Sequence, residues 1–575
     1  MKYSLINPID ENLSTIEQIF SNRGMSISDI KHYLNTSDED LLENYILNMR
    51  EGVLMLTEHI SNHDDIFVQI DSDCDGITSA AILINYLHRR FPAYIESHLY
   101  YRLHSGKQHG IILEEIPESV KLVIAPDASS NEYEIHQKLQ ENDIDVLVID
   151  HHEAEKISEY ACVINNQLCD YPNKTLSGAG MTYKFCAYLD KFFKDSIVED
   201  YLDLAALGIV ADVMDLRNFE TKRIVEKGLS KIKNPFFKAI IDKNQFSLKG
   251  NVTADGVAWY VAPYINAILR AGSAEEKEIL FKSFLEYEAY KEVPSTKRGA
   301  KGQNEIIVEQ ACRTSGNVRN RQNNARDKAQ EYIESLIAKN DLLKNKVLVI
   351  KCDTDVSPNL TGLIANQLLS KYQRPIVLLN KREGAWHGSA RCDPRFGVDN
   401  FKDFCAESCL TLYAEGHQGA FGIAFENTEK IDTFIAYTNQ EFRDKNFDKE
   451  YKVDFIFDYN NFHKNEIKDI AELKDIWGKG LEEPLVAIEN VKLNRDNFKL
   501  LSPDSKPTLK IILPNSVEIM KFKSSEDEYD SLYSDQGCII INVVGKCNLN
   551  EWNGRVTPQV FIEDYEVVGK QNFYF

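Results

Sequence analysis

Four short apolar runs between residues 66 and 212 each stop on acidic residues, and this recurrence limits the folds open to the chain more than any other feature. "IFVQIDSDCDG" ends in Asp71, Asp73 and Asp75, and "VIAPDASS" ends in Asp127. "VLVIDHHEAE" gives Asp150, His151 and His152, and "ALGIVADVMDL" gives Asp212 and Asp215. Between them lie helical patterns such as "TSAAILINYLHRRF" and "EYEIHQKLQEN", while "YIESHLYY" and "ACVINN" read as further strands. Strands alternating with helices predict a mostly parallel sheet with crossover helices. The carboxyl ends of such strands share one edge, where ligands bind, so residues as far apart as 73 and 212 can meet. The fourth run also fits a helix.

One Asp after a strand is ordinarily a helix N-cap. Repeated endings, one with paired histidines, predict instead a carboxylate cluster around cations. An oxygen-rich donor set with one or two imidazoles suits Mn2+ or Mg2+ better than a thiolate-bound metal. Two such cations are the usual device for displacement at phosphorus.

A chain of 575 residues is too long for one core, and roughly three or four domains are expected. Its net charge of −23 argues against non-specific coating of nucleic acid or anionic membrane, though not against a local basic groove. The 11 cysteines are scattered, and Cys405 and Cys409 have no matching His/Cys pair, so they read as reduced core residues. No signal-like start and no bilayer-length apolar run stand out, which predicts a soluble, cytoplasmic protein without a membrane role.

The expected division is a helical N-terminal segment (1–62), an α/β unit (63–235), a helical connector (236–343), a second α/β unit (344–430), a helical linker (431–480) and an OB-like β-barrel (481–575). The connector carries the densest positive patch: Lys297, Arg298, Lys301, Arg313, Arg319, Arg321 and Arg326. It reads as a nucleic-acid contact or as a solvated helix face. Trp552 and Phe561 in the terminal strands read as base-stacking residues or as core.

Taken together the motifs resemble the DHH-superfamily phosphoesterases. "DSDCDGITSAA" resembles their first motif and "VIDHHEAE" their third. "LGIVADVMDLRNFETKRIVEKGL" and "SGAGMTYKF" resemble the RecJ branch, 5′→3′ exonucleases specific for single-stranded DNA. The likeness continues through "APYINAILRAGS", through "NLTGLIANQLLSKYQRPIVLLN", "GSARCD" and "EGHQGAFG" of a DHHA1 domain, and through "IWGKGLEEPL" at the junction into an OB domain. The fold class implied is a mostly parallel-sheet DHH domain plus a DHHA1 α/β domain, joined by a long helical connector, with a C-terminal OB-like barrel.

The resemblance implies two divalent cations, Mn2+ preferred or Mg2+. Asp127 would bridge them, Asp73 would serve one, and Asp75, His151 and Asp212 the other, with Asp71 and Asp150 behind the ligands. The implied catalytic set is Asp127, Asp150, His151, His152 and His417. Ser389, Arg391 and His417 would hold substrate phosphates, Arg270 would face the nucleic acid, and His104, with His109 near it, would contact substrate. Three departures stand out: "PDASS" replaces an Asp-Asn-Gly-type turn, "RLHSGKQHG" puts His104 where the family has an Arg, and Glu415 stands where a Gly is common.

The implied activity is release of 5′-mononucleotides from single-stranded DNA, with RNA as an alternative strand, in DNA recombination, repair or replication. The implied protein is a monomer that works beside a single-strand-binding protein or helicase. Two rivals remain: a phosphodiesterase for short oligonucleotides or cyclic dinucleotides, and a non-catalytic nucleic-acid-binding scaffold derived from RecJ.

Overall fold

The computed structural model describes residues 1–572 apart from 44, 105–108, 249, 354–355, 383, 446, 448–449, 503–505, 535–536 and 553. The middle of "RLHSGKQHG" and the side chain of Trp552 therefore lie outside the described residues. The chain divides into two units, residues 3–316 with 451–575, and residues 317–450.

The N-terminal segment opens with a strand, β1 (Lys2–Leu5), which pairs with β14 (Glu450–Val453). Helices α1 (Thr15–Asn22), α2 (Ile27–Tyr33) and α3 (Met49–Asn62) follow, the first two capped by Ser14 and Ser26. Ile19, Phe20, Ile30 and Tyr33 of α1 and α2 join one apolar cluster with Val486, Ile488, Val543 and Val560 of the C-terminal strands. The segment expected as a helical lead-in thus shares one apolar core with the C-terminal strands. Arg23 seals that junction with a buried two-pronged pair to Asp454, at 2.6 and 3.1 Å.

The first α/β unit is a five-stranded, all-parallel sheet in the order β3-β2-β4-β5-β6. Its strands are β2 (Asp65–Ile70), β3 (Leu99–Leu103), β4 (Val120–Pro126), β5 (Asp145–Asp150) and β6 (Cys162–Asn165). β2, β4 and β5 are buried almost throughout, as expected of strands covered on both faces. The crossovers are α4 (Cys74–Arg90), α5 (Pro92–His98) and α6 (Tyr133–Gln140). "YIESHLYY" is therefore mostly the end of α5, with Pro92 fixing its first turn, and only its last part enters β3.

Next come α7 (Gly178–Phe193), α8 (Leu202–Ala211) and α9 (Phe219–Ser230). α8 is apolar all round and buried, so "ALGIVAD" is a core helix and not a strand. α9 is tied to α7 at Glu220, which is 1% exposed and takes hydrogen bonds from Tyr171, Asn173, the Lys184 ammonium and the Leu42 N–H. The connector holds α10 (Pro235–Lys243), α11 (Gln245–Leu248), α12 (Ala254–Tyr260), α13 (Ala262–Ala271) and α14 (Ala274–Phe284). A hairpin, β7 (Glu292–Pro294) and β8 (Asn304–Ile306), then leads into the long helix α15 (Ile307–Lys339). Buried Glu305 pairs with Lys297 and Arg313, and Arg326 pairs with Asp327, so part of the basic patch is neutralised within the chain.

The 317–450 unit carries a five-stranded sheet in the order β12-β13-β11-β10-β9. Its elements are β9 (Leu348–Cys352), α16 (Pro358–Tyr372), β10 (Ile376–Arg382), β11 (Ala385–Arg391), α17 (Phe401–Glu407), β12 (Tyr413–His417), β13 (Ala420–Phe425) and α18 (Thr428–Glu441). Only β9 and β10 pair in parallel.

The C-terminal region is a seven-stranded mixed sheet in the order β15-β16-β20-β21-β19-β18-β17. It is built from β15 (Phe455–Asp458), β16 (Leu485–Leu493), β17 (Phe498–Leu501), β18 (Thr508–Ile512), β19 (Glu518–Phe522), β20 (Gly537–Trp552) and β21 (Arg555–Asn572), with α19 (Lys464–Glu472) and α20 (Glu526–Leu532) between strands. Phe561 packs edge-on against Phe522. All 11 cysteines are free thiols, and no helix among the described residues is long and apolar enough to cross a membrane.

Candidate active site

The carboxyl ends of β2, β4 and β5, three neighbouring strands, and the end of α8 bring the acidic endings together. Three overlapping groups result: Asp71, Asp73 and Asp127; Asp75, His151 and Asp212; and Asp127, Asp150, His151 and His152. Within each group the candidate donor atoms lie within 4.8 Å of one another. His151 Nε2 stands 3.2 Å from Asp127 Oδ1, 3.6 Å from Asp212 Oδ2 and 3.8 Å from Asp75 Oδ2.

Each donor is held by its own element. Asp73 is the N-cap of α4, accepting from the Gly76 N–H at 2.9 Å. Asp75, in the first turn of α4, accepts from Ser177 Oγ at 2.8 Å and from the N–H groups of Gly178 and Ala179 at 2.7 and 3.0 Å. Those are free donors of the first turn of α7, so the positive end of that helix faces the carboxylate. Asp127 follows β4 with φ +67°, a left-handed conformation that Asp tolerates better than most residues. Asp212 caps α8, where its N–H still bonds to the Gly208 carbonyl at 2.9 Å.

Two glycines let these groups approach. A Cβ on Gly178 would lie 2.3 Å from Asp127 Oδ1, and one on Gly208 would lie 2.3 Å from Asp75 Oδ1.

The carboxyls of the cluster differ in their electrostatics. Burial, then repulsion from Asp71 and Asp75, pushes Asp73 up to about 6. Burial and the neighbouring carboxylates, Asp75 first, hold Asp127 and Asp212 well above the usual carboxylate range. Carboxyls crowded this way retain protons that a divalent cation would displace. Asp127 Oδ1 is also buried without a hydrogen-bond donor among the described residues. An oxygen-rich set with one imidazole and an orphaned carboxylate oxygen fits Mn2+ or Mg2+.

Asp150 and Asp71 behave differently. Asp150 Oδ1 accepts from the His151 N–H at 2.8 Å and from His152 Nδ1 at 2.8 Å, and its Oδ2 accepts from the Ser130 N–H. Burial would raise its pKa, but His152 and the other donors hold it well below the usual range. Burial likewise opposes ionisation of His152, yet Asp150 lifts it to about 9. Asp71 is held low against burial by His104 and His109, at 2.9 and 3.5 Å. His104 is 1% exposed, and its other nitrogen lies 2.6 Å from the Gly110 carbonyl, so both ring nitrogens are engaged within the protein. His109 is the exposed member of that pair. Asp215, read beside Asp212 in the sequence, turns away and pairs with Arg217.

Residues 65–209 match the DHH family, N-terminal domain, and residues 453–564 match the RecJ OB domain. A SPbeta prophage-derived relative of Bacillus subtilis (strain 168), named as a single-strand DNA-specific exonuclease, YorK, is 36% identical over 99% of this chain and 98% of its own length. The chain belongs to the RecJ family. RecJ of Bacillus subtilis (strain 168), named as a single-stranded-DNA-specific exonuclease, is 23% identical over 94% of this RecJ-family chain and 66% of its own length. In fold, the chain is similar to RecJ of Thermus thermophilus in complex with Mn2+, with a TM-score of 0.72 at 20% identity over 96% of this chain and 76% of that one.

The other expected residues have their own settings. Ala420 of β13 is the register partner of both Arg391 on β11 and His417 on β12, so the two stand in one row across three strands. Ser389, two residues before Arg391 and on the same face, bonds Thr361 Oγ1 at 2.8 Å. The first turn of α16 comes so close that a Cβ on Gly362 would lie 2.6 Å from an Arg391 nitrogen. Arg270 ends α13, where the charge of Asp73 reaches its guanidinium.

Four supports lie outside the site residues expected from the sequence. Ser177, Gly178 and Ala179 anchor Asp75, and the buried Lys277 ammonium lies 3.2 Å from Ser72 Oγ and 3.3 Å from the His104 carbonyl. "SGAG" before a helical pattern is a legible N-cap, whereas nothing in "EEKEIL" marks Lys277.

Proposed function

We propose that this protein is a metal-dependent 5′→3′ exonuclease that hydrolyses single-stranded DNA to 5′-mononucleotides, with Asp73, Asp75, Asp127, His151 and Asp212 as ligands of two divalent cations. The observation that carries this reading is the overlap of the three donor groups at Asp127 and His151. RecJ structures of similar fold hold Mn2+ or Mg2+, and the relatives' names specify single-stranded DNA, which supports both cation and substrate. Divalent cations in such a site supply a nucleophile near neutral pH and take up charge on the entering and leaving oxygens.

The protein's own groups do the rest. Asp127 bridges the two donor sets. Asp150 fixes the DHH turn and pins His152 through Nδ1, leaving Nε2 to meet a phosphoryl oxygen. Asp71, backed by His104, orients the α4 entrance. Ser389, Arg391 and His417 hold substrate phosphates, and Arg270 steers the strand. Crowding of the first turn of α16 against Arg391 restricts that guanidinium to few orientations, which favours a two-pronged grip on phosphate.

The test is digestion of 5′- and 3′-labelled single-stranded DNA and RNA in Mn2+ or Mg2+, with a dinucleotide as comparison. A 5′-mononucleotide released first from the 5′ end is expected. Asp127→Ala should abolish that release while leaving the unfolding transition in place. Full activity in that variant would sink the site, and preference for the dinucleotide would favour the small-substrate rival.

A further inference from the structure

A cavity of about 560 Å³ opens one residue along from Asp212. Buried Trp477 lines it together with Val213, Met214, Trp259, Leu485 and the Lys546 stem. Its volume falls within the range of about 300–1,000 Å³ usual for ligand clefts.

Two features here are unfavourable for a protein surface left bare. Trp259 is 65% exposed, and its indole N–H is tied to Asp255 Oδ1 at 3.0 Å. That bond satisfies the ring's one polar atom and fixes its orientation, so what it offers is a flat apolar face. Val213 is 60% exposed and has φ +59°, a left-handed conformation that a β-branched residue rarely adopts. Met214 and Val213 both bond back to α8, at 3.2 Å each, so the strained turn is built into the cap that carries Asp212.

Charge narrows the occupant. Lys546 is paired with Glu483 at 2.8 Å, and Asp255, Glu482 and Lys479 also line the cavity. The lining carries three acids against two lysines, which disfavours a phosphate, whereas a planar uncharged group can lie against the apolar walls. In a nucleotide strand that group is the base, with its phosphate turned outward.

We propose that this cavity binds a nucleobase of the strand held at the metal centre, with the Trp259 indole as the stacking face. Val213 of its lining directly follows Asp212 in the chain, and stacking on an indole face is indifferent to sequence. The proposal rests on the single-strand reading above.

Intrinsic tryptophan fluorescence of the full chain in EDTA, where the strand stays intact, tests it. Titrants are a thymidine homopolymer and an abasic strand of equal length. The wild type should bind the homopolymer more tightly than the abasic strand. Trp259→Ala should weaken homopolymer binding about tenfold and abasic binding little, and Trp259→Phe should recover most of the loss. Unchanged Mn2+ binding by calorimetry and an unchanged melting temperature would show that the variants are folded. Equal homopolymer affinity in wild type and Trp259→Ala overturns the proposal and leaves the cavity to an apolar peptide segment. A wild type that binds neither strand overturns the single-strand reading itself.

Discussion

Gly208→Ala sets two effects against each other at the metal centre. Gly208 lies inside α8, where Ala is ordinarily preferred by about 1 kcal/mol. Its new methyl would lie 2.3 Å from Asp75 Oδ1, 2.4 Å from Ala179 Cβ and 2.7 Å from Thr78 Oγ1. Overpacking of this kind costs about 1–3 kcal/mol, so the balance is a loss of roughly 0–2 kcal/mol. Asp75 cannot yield without breaking its bonds from Ser177, Gly178 and Ala179. A ligand displaced by about 1 Å, or a support lost, costs about 10- to 100-fold in metal affinity or rate. Calorimetric titration with Mn2+, thermal unfolding and single-strand digestion read the three consequences. A higher melting temperature with wild-type Mn2+ affinity, as helix propensity alone would give, would refute the packing argument.

Other perturbations have equally definite outcomes. Ser177→Ala removes a donor from Asp75 and the N-cap of α7, and should weaken Mn2+ binding about tenfold by calorimetry while costing about 0.5–2 kcal/mol in urea unfolding. Glu220→Ala strands the buried Lys184 ammonium and should cost about 3–5 kcal/mol in urea unfolding, far beyond a surface ion pair. His136 is buried between Ser129 and Ser158, and burial lowers it to about 4. Its neutral ring contributes stability that is fully present above the unfolded value near 6.5 and is lost as pH falls toward 4, by roughly 2–4 kcal/mol. His136→Asn should flatten that part of the pH dependence, and an unchanged slope in denaturant titrations would contradict it.

The acidic strand endings were legible because β2, β4 and β5 are buried on both faces and read as unbroken apolar runs. Asp71 and Asp150 look like the ligand candidates in sequence, yet each has a partner of its own: His152, two residues from Asp150, is local, whereas His104 and Ser130 come from residues whose contacts no local pattern encodes. "YIESHLYY" misleads because its aromatic and β-branched content suits a strand, while Pro92 and the i, i+4 packing of α5 decide for a helix. The role of residues 1–33 was invisible for a different reason. An amphipathic helix shows that it needs a core, and not which core, and here the partner lies beyond residue 450.

That distance bears on how the chain acquires its structure. Arg23 and Asp454 are 431 residues apart, so at a synthesis rate of about 5–20 residues per second the first helices wait roughly 20–90 s for their partners to emerge. During that interval Ile19, Phe20, Ile30 and Tyr33 have no C-terminal strands to cover them. The 63–235 sheet, whose contacts are local by comparison, can form first. A nascent chain of this protein therefore carries an apolar N-terminal hook that closes only when the final strands arrive, which makes late synthesis the stage most exposed to aggregation.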